Sequence, residues 1–335
     1  MKHIFVINPH SFRAFGGTGN FRAQVRDCFS GHNADEYLIH ISRYPRDAIG
    51  VVHNYIQSCP KDETVRVYAV GGDGILFECL NGMVGFQNAE LTCVPYGNAN
   101  DFTLAFGEEA AAKFRDIKSL SVAPSRPMDI IHCGSNYVML GLTIGLVGKT
   151  VIIANDIFPK LPPKWLRKHT KLAYSLCAVR AMFSKKIMEQ KYRLTIDGQS
   201  SANQYCNIFI LNTALKGGGI LPVPYANPND GNLDVLFIKN PRGLERIKVL
   251  IDNNKGHFEK RENHFDYKLC KTMKIVSDEL LNVEMDGEAF YAAEITLKII
   301  PDGIKIFVPV GLDFVDFSHR AYRAKNRVKK GGVTG

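Results

Sequence analysis

Val65-Arg66-Val67-Tyr68-Ala69-Val70 runs into Gly71-Gly72-Asp73-Gly74 and then into Ile75-Leu76-Phe77-Glu78-Cys79-Leu80. Strand formers, a glycine turn and a helix start follow one another without a gap. Glycines in such a turn let the backbone approach a phosphate with bare N–H groups, and the helix start adds a favourable dipole. The turn is neither a G-x-G-x-x-G fingerprint nor a Walker A loop with its Lys-Ser/Thr. Asp73 is informative, because a carboxylate beside polyphosphate repels it unless a metal ion or a shared proton intervenes. That points to Mg²⁺ accompanying a nucleotide. Taken alone, the same stretch also reads as an ordinary tight turn.

Working outward, strands and helices alternate from residue 1 to about 125: HIFVIN (3–8), NFRAQVRDCF (20–29), EYLIHI (36–41), DAIGVVHNYIQ (47–57) and LTCVPY (91–96). This alternation predicts a Rossmann-like parallel sheet covered by helices, with ligands at the carboxyl ends of its strands. After Pro127 the pattern becomes short strand-like runs parted by Gly, Asn and Asp, from MDIIHCG (128–134) and NYVMLGLTIG (136–145) to AEITLKIIPDG (293–303) and IKIFVPV (304–310). Little helix is expected there, and the fold class is α/β plus β-rich, with a C-terminal β-sandwich. The expected domains are 1–125, joined by 308–325, and 126–307. One exception is a basic helical insertion at about 159–193, where Trp165, His169, Leu172, Leu176, Val179 and Phe183 recur at helical spacing.

A chain of 335 residues with 45% hydrophobic content is long enough for two cores. MKHIFVINPH offers too short an apolar run for a signal peptide, and no stretch reaches membrane-spanning length. The eight cysteines show no zinc spacing and read as reduced thiols, so a cytoplasmic location is expected. Ten Lys/Arg against one Glu lie between Lys160 and Arg193, and six Lys/Arg against no acid between Arg320 and Lys330. Charge of this kind favours an anionic partner: nucleic acid, a bilayer surface or a polyphosphate.

Motifs narrow that choice. GGDG followed by Glu78 and Asn81-Gly82 resembles the diacylglycerol kinase catalytic domain family, which includes sphingosine and ceramide kinases and bacterial lipid kinases. Asn8-Pro9, Pro95 to Phe102 (PYGNANDF), Gly217-Gly218-Gly219 with Pro222, Asp230-Gly231-Asn232-Leu233-Asp234 and Asp286-Gly287-Glu288 resemble further family segments, in family order. Two positions depart from the pattern, Ile75 and Asn98 standing where the family usually has Thr, and the loop SFRAFGGTGNF (11–21) is longer than usual. These departures bear on nucleotide affinity and on which nucleotide is the donor. Arg13 or Arg22 of that loop could reach the phosphates.

The resemblance implies a lipid kinase that uses ATP and Mg²⁺. It implies nucleotide contacts from Asn8, Ser42, Gly71, Gly72, Asp73, Gly74, Glu78, Asn98 and Asp101. It implies a structural Mg²⁺ site of Asp230 with the carbonyls of Asn227 and Asn232, and Glu288 as the base that takes the lipid hydroxyl proton, with Asp73 as the rival base. A lipid substrate, peripheral contact with an anionic membrane at its inner face and no nucleic acid are expected, and a homodimer is left open. Plainer readings stand beside these: Asn8-Pro9 as a strand end, Asn81-Gly82 as a helix C-terminus with a left-handed cap, and Asp230-Gly231 and Asp286-Gly287 as hairpin turns. A kinase of soluble substrates related to NAD kinase and a non-catalytic nucleotide- or lipid-binding regulator are the alternative functions.

Overall fold

Apolar β-branched residues dominate the first strands, and a computed structural model places them together at one end of a mixed sheet. It describes residues 1–14, 17–30, 36–243 and 245–318, without the side chains of 13, 14, 163–168 and 171. In the first half, β1 (Lys2–Ile7), α1 (Gly19–Phe29), β2 (Glu36–Ile41), α2 (Asp47–Ser58), β3 (Val65–Gly71), α3 (Asp73–Met83) and β4 (Ala89–Pro95) alternate. Strands β2, β1, β3 and β4 are parallel neighbours in that spatial order. Strands β3 and β4 are buried along their whole length, as strands covered on both faces must be. Three short helices, α4 (Asp101–Leu104), α5 (Ala110–Arg115) and α6 (Ile117–Ser121), finish this half.

The second half contains β5 (Ser125–Cys133), β6 (Asn136–Val138), β7 (Gly141–Gly145), α7 (Leu146–Ile157), α8 (Pro163–Met182), α9 (Lys185–Met188), β8 (Lys191–Ile196), β9 (Gln199–Gln204), β10 (Asn207–Leu211), β11 (Leu233–Ile238), α10 (Glu245–Asn254), β12 (Phe265–Cys270), β13 (Thr272–Met285) and β14 (Glu288–Phe307). Its pairings are antiparallel throughout, as in β7–β10–β11–β12 and β13–β14. An α/β half followed by a sandwich-like β half is the fold class that the sequence pattern predicts. Strand β14 joins the two: its start pairs with β13, while Lys305 and Ile306 near its end lie parallel to β4. Ile304, Ile306, Phe307 and Val308 accordingly sit in the apolar core of the first half.

Several predicted elements differ. NYVMLGLTIG is two strands, because the Asp286 carboxylate takes the amides of Met139, Leu140 and Gly141 that would have continued the ladder. AEITLKIIPDG and IKIFVPV are one strand, β14, with a register shift between Ile300 and Ile304. Helices α7 and α10 lie where little helix is expected. LVGKTVIIANDI is β-branched and apolar, which suits a strand by propensity, yet it packs as a helix against β13. In particular, Gly148 lies so close to Asn282 that a Cβ would fall 2.2 Å from its carbonyl oxygen.

Candidate active site

The carboxyl ends of β1, β3 and β4 meet at one edge of the sheet, and the backbone there is interlocked. The Gly71 carbonyl accepts the amides of Tyr96 and Gly97 at 2.8 and 2.9 Å, which clamps the GGDG turn to the loop after β4. Asn100, left-handed at φ 55°, closes that loop by accepting from the Gly97 amide at 2.9 Å and donating to its carbonyl at 2.7 Å. Gly97 rests directly on Gly72, so that a Cβ on Gly97 would stand 2.3 Å from the Gly72 Cα. Helix α3 begins behind Gly72 without a side-chain cap, which leaves its first amides available to an anion. Ile75 points into the core of the first half, so this position does not present a side chain to the turn's open face.

The sequence-predicted residues fall into three groups. Asn8, Gly71, Gly72, Asp73, Gly74, Asn98 and Asp101 gather at this edge. The Asn8 side chain accepts from the His10 amide at 3.0 Å and its Cβ lies against Gly71, while Asn98 is exposed at the loop tip. Ser42 extends the edge after β2, its amide bonded to the Ile7 carbonyl. Glu78 is buried one helical turn below and accepts from the Ala48 amide at 3.1 Å, capping the start of α2. Arg22 is exposed on α1, and the Arg13 side chain lies outside the described residues.

Asp73 is itself nearly enclosed, with its two oxygens 3.2 and 3.4 Å from the amides of Asp101 and Phe102 at the start of α4. Burial, reinforced by the negative charge of Asp101, pushes its carboxyl up to about 7. The buried Asp101 accepts from the Gly218 amide at 2.8 Å, and burial raises it too against the pull of Lys216. Gly217, Gly218 and Gly219 all have positive φ, and Gly218 lies over Ala99. That explains a run of three glycines, since any side chain would strain the backbone of this loop.

Sequence reasoning missed the residue at the head of that run. Lys216 is 4% exposed and donates to the Gly141 carbonyl at 2.8 Å, with Glu284 Oε1 at 3.0 Å and Asp286 Oδ1 at 3.5 Å. Burial alone would lower this lysine, but Glu284, Asp286 and Asp101 outweigh it and raise it. Asp286 also accepts the amides of Met139, Leu140 and Gly141, while Glu284 accepts from Thr143 and from the Gly287 amide. Nothing in the sequence signals the cluster, because Glu284 falls in phase with Asn282 on the polar side of the alternation Leu281-Asn282-Val283-Glu284-Met285. The cluster holds the Asp286-Gly287 hairpin against the GGDG turn. A Cβ on Gly74 would lie 4.0 Å from Glu288 Oε1, and Glu288 is exposed.

Asn81 and Gly82 are not the left-handed end of a helix. The Asn81 amide donates to Phe77 and Tyr137 carbonyls and its oxygen accepts from the Tyr137 amide, which ties β6 to α3. Gly82 gives close passage to α2, and Gly85 is the residue with φ 97°.

Asp230, Asn227 and Asn232 stand apart, at the turn before β11. Asp230 Oδ1 accepts from the Asn232 amide at 2.9 Å, and the buried Asp129 fastens the turn by accepting from Gly231 and Asp302. An exposed carboxylate with neighbouring carbonyls and room for water is a donor set that suits Mg²⁺. Exposed Lys271 and Lys298 line the same depression. Among the described residues no cluster of three or more His, Cys, Asp or Glu forms a ready-made metal cage.

Comparison with known proteins gives this arrangement its context. Residues 2–133 match the diacylglycerol kinase catalytic domain, and residues 162–308 match the YegS C-terminal NAD kinase beta sandwich-like domain. A diacylglycerol kinase of Bacillus subtilis is 27% identical over 225 residues, 66% of this chain and 70% of its own length. A protein named probable lipid kinase YegS-like, from Alcanivorax borkumensis, is 24% identical over 265 residues, 78% of this chain and 85% of its own. The crystal structure of a diacylglycerol kinase from Bacillus anthracis superposes with a TM-score of 0.65 at 18% identity, covering 93% of this chain and 98% of that one. An NAD kinase from Archaeoglobus fulgidus in complex with ATP gives 0.51 at 10% identity, covering 98% and 99%.

Proposed function

Because the chain belongs to the diacylglycerol kinase catalytic domain family, we propose that it transfers the γ-phosphate of ATP to a hydroxyl of a membrane lipid. The observation that carries this reading is the exposed Glu288 carboxylate beside Gly74, at the junction of the two halves. A base must stand within reach of the proton it takes, and Glu288 faces the turn where a γ-phosphate would rest. Asp73 is less suited to that work, since both its oxygens face backbone amides inside the protein. Its part is to fix the GGDG turn against α4.

Phosphoryl transfer needs mainly positioning and charge neutralisation. The amides at the start of α3, with Gly72, Gly74, Asn8, Ser42 and Asn98 around them, hold the phosphates and the nucleotide. Mg²⁺ bound with the nucleotide would neutralise phosphate charge, and a second ion at Asp230, Asn227 and Asn232 would brace the second half. Residues 1–125 with the returning segment after 308 form the nucleotide side in this reading, and 126–307 the lipid side. The enzyme would work in the cytoplasm, at the inner face of a membrane.

Thin-layer analysis of a lipid extract incubated with the protein and labelled ATP tests the proposal. A labelled lipid is expected, and Glu288→Gln should lower turnover by about 10²–10⁴-fold with ATP binding kept. Label on NAD in place of lipid would establish the NAD-kinase-like alternative, which the shared fold with the archaeal NAD kinase keeps in view. ATP binding without any labelled product would make the chain a regulator.

A further inference from the structure

Helix α8 is built inside out. Its inward residues are small: Ala173, Cys177 and Ala181 are buried, and the last two share a core with Leu146, Ile153 and Ala154 of α7. Its outward residues are large and apolar: Leu172, Leu176 and Val179 are 53, 58 and 45% exposed, and Phe183, just beyond the helix, is 83% exposed. Steps of four, three and four residues put these four on one stripe. A solvated helix shows the opposite distribution, and four neighbouring large apolar side chains on a surface mark a contact.

The surroundings say with what. Arg180 flanks the stripe, and Lys160, Lys185 and Lys186 are exposed near its ends, in a segment with ten Lys/Arg and one Glu from 160 to 193. The Trp165 side chain lies outside the described residues. Tyr174, on another face of the helix, stacks edge-on against Phe158 at 4.8 Å, and its phenol is raised by burial and then by the charge of Glu284. The helix therefore packs its small-residue side against α7 and turns an apolar, cation-flanked side outward.

We infer that the Leu172, Leu176, Val179 and Phe183 face is a docking surface for a bilayer of anionic phospholipids. The apolar side chains enter the acyl boundary while the flanking ammonium and guanidinium groups meet phosphate headgroups. This deepens the lipid-kinase reading and rests on it for the use made of the contact: docking there would bring the active-site cleft to its substrate. Glu279 engages Lys186 at 3.4 Å, so Lys160, Arg180 and Lys185 are the cations this face offers to headgroup phosphates.

Flotation of the full chain with phosphatidylcholine vesicles, with and without phosphatidylglycerol, tests it without ATP. The chain should float with the anionic vesicles, and the triple variant Leu172→Ser, Leu176→Ser, Phe183→Ser should lose about tenfold or more of that partition. Arg180→Glu with Lys185→Glu should remove the preference for phosphatidylglycerol. Thermal unfolding checks that each variant is folded, and the single Phe183→Ser change, at the most exposed position, should give a partial loss. Unaltered flotation of the triple variant would overturn the inference, as would a wild-type chain that floats with neither vesicle. So would a dimer that the triple variant turns into monomer with vesicle binding unchanged. A chain that floats through this face yet phosphorylates no lipid would defeat the kinase reading alone.

Discussion

The two sides of the candidate cleft are made of different materials. On the first half, the edge after β3 and β4 is backbone: Gly72 touches Gly97, Asn100 folds its own loop, and the amides of α3 start uncapped. On the second half, the support beneath Asp286-Gly287-Glu288 is charge: Lys216 with Glu284 and Asp286, all buried, and Asp101 adding its charge from the first half. A surface of backbone can shift by small torsions to admit a ligand. A buried ion network has one good arrangement and a large penalty for every other.

That contrast predicts its largest effect at Lys216. Replacing it with Met would leave Glu284 and Asp286 buried without a counter-ion, at a cost of about 3–5 kcal/mol in denaturant unfolding. Lys216→Arg should recover part of the loss, since it restores charge with a different shape. If Lys216→Met unfolds at the wild-type denaturant concentration, the second half does not depend on its ion network and the contrast fails.

The second effect lies where the two materials meet, at Asp73. An unfolded aspartate loses its proton near pH 4, whereas the folded Asp73 keeps it up to about 7. The folded state then binds more protons across that window, so stability falls as pH rises from about 4 to about 7. Asp73→Asn should flatten this decline in unfolding curves recorded across the window. The slope should not vanish, because Asp101 and Asp286 are also raised by burial. An identical slope in the variant would show that Asp73 titrates as it would in water.

The same contrast explains what could be read from the sequence. Contiguous signals were legible: VRVYAV then GGDG gives a strand, a turn and a helix start, and DG between LNVEM and EAF gives a hairpin. Lys216, Glu284 and Asp286 were not, because their meaning is a contact made across about 70 residues of chain between positions 216 and 284. Helix α7 was missed for a related reason. Its Val and Ile residues suit a strand locally, and packing on β13 and α8 makes them a helix. For α8 the helical spacing was readable, but the side that would face outward was not: Leu172 and Leu176 look like core residues until Ala173, Cys177 and Ala181 are found in the core instead.

The smallest effect on stability is expected at the backbone-built edge. Gly97→Ala would place a methyl group 2.3 Å from the Gly72 Cα, so the two loops must part. They lie at the end of the sheet with solvent beyond, and they can move by small torsions, so the cost should be about 1 kcal/mol, the low end for overpacking. Function should suffer more than folding. The same displacement moves the GGDG amides off the phosphate they would cradle, and ATP affinity in a direct binding titration should fall by about tenfold, from a misplacement of an ångström or so. Unchanged ATP affinity with the expected small loss of stability would mean that the Gly72–Gly97 contact only packs the two turns. The backbone side would then be as purely structural as the charge side.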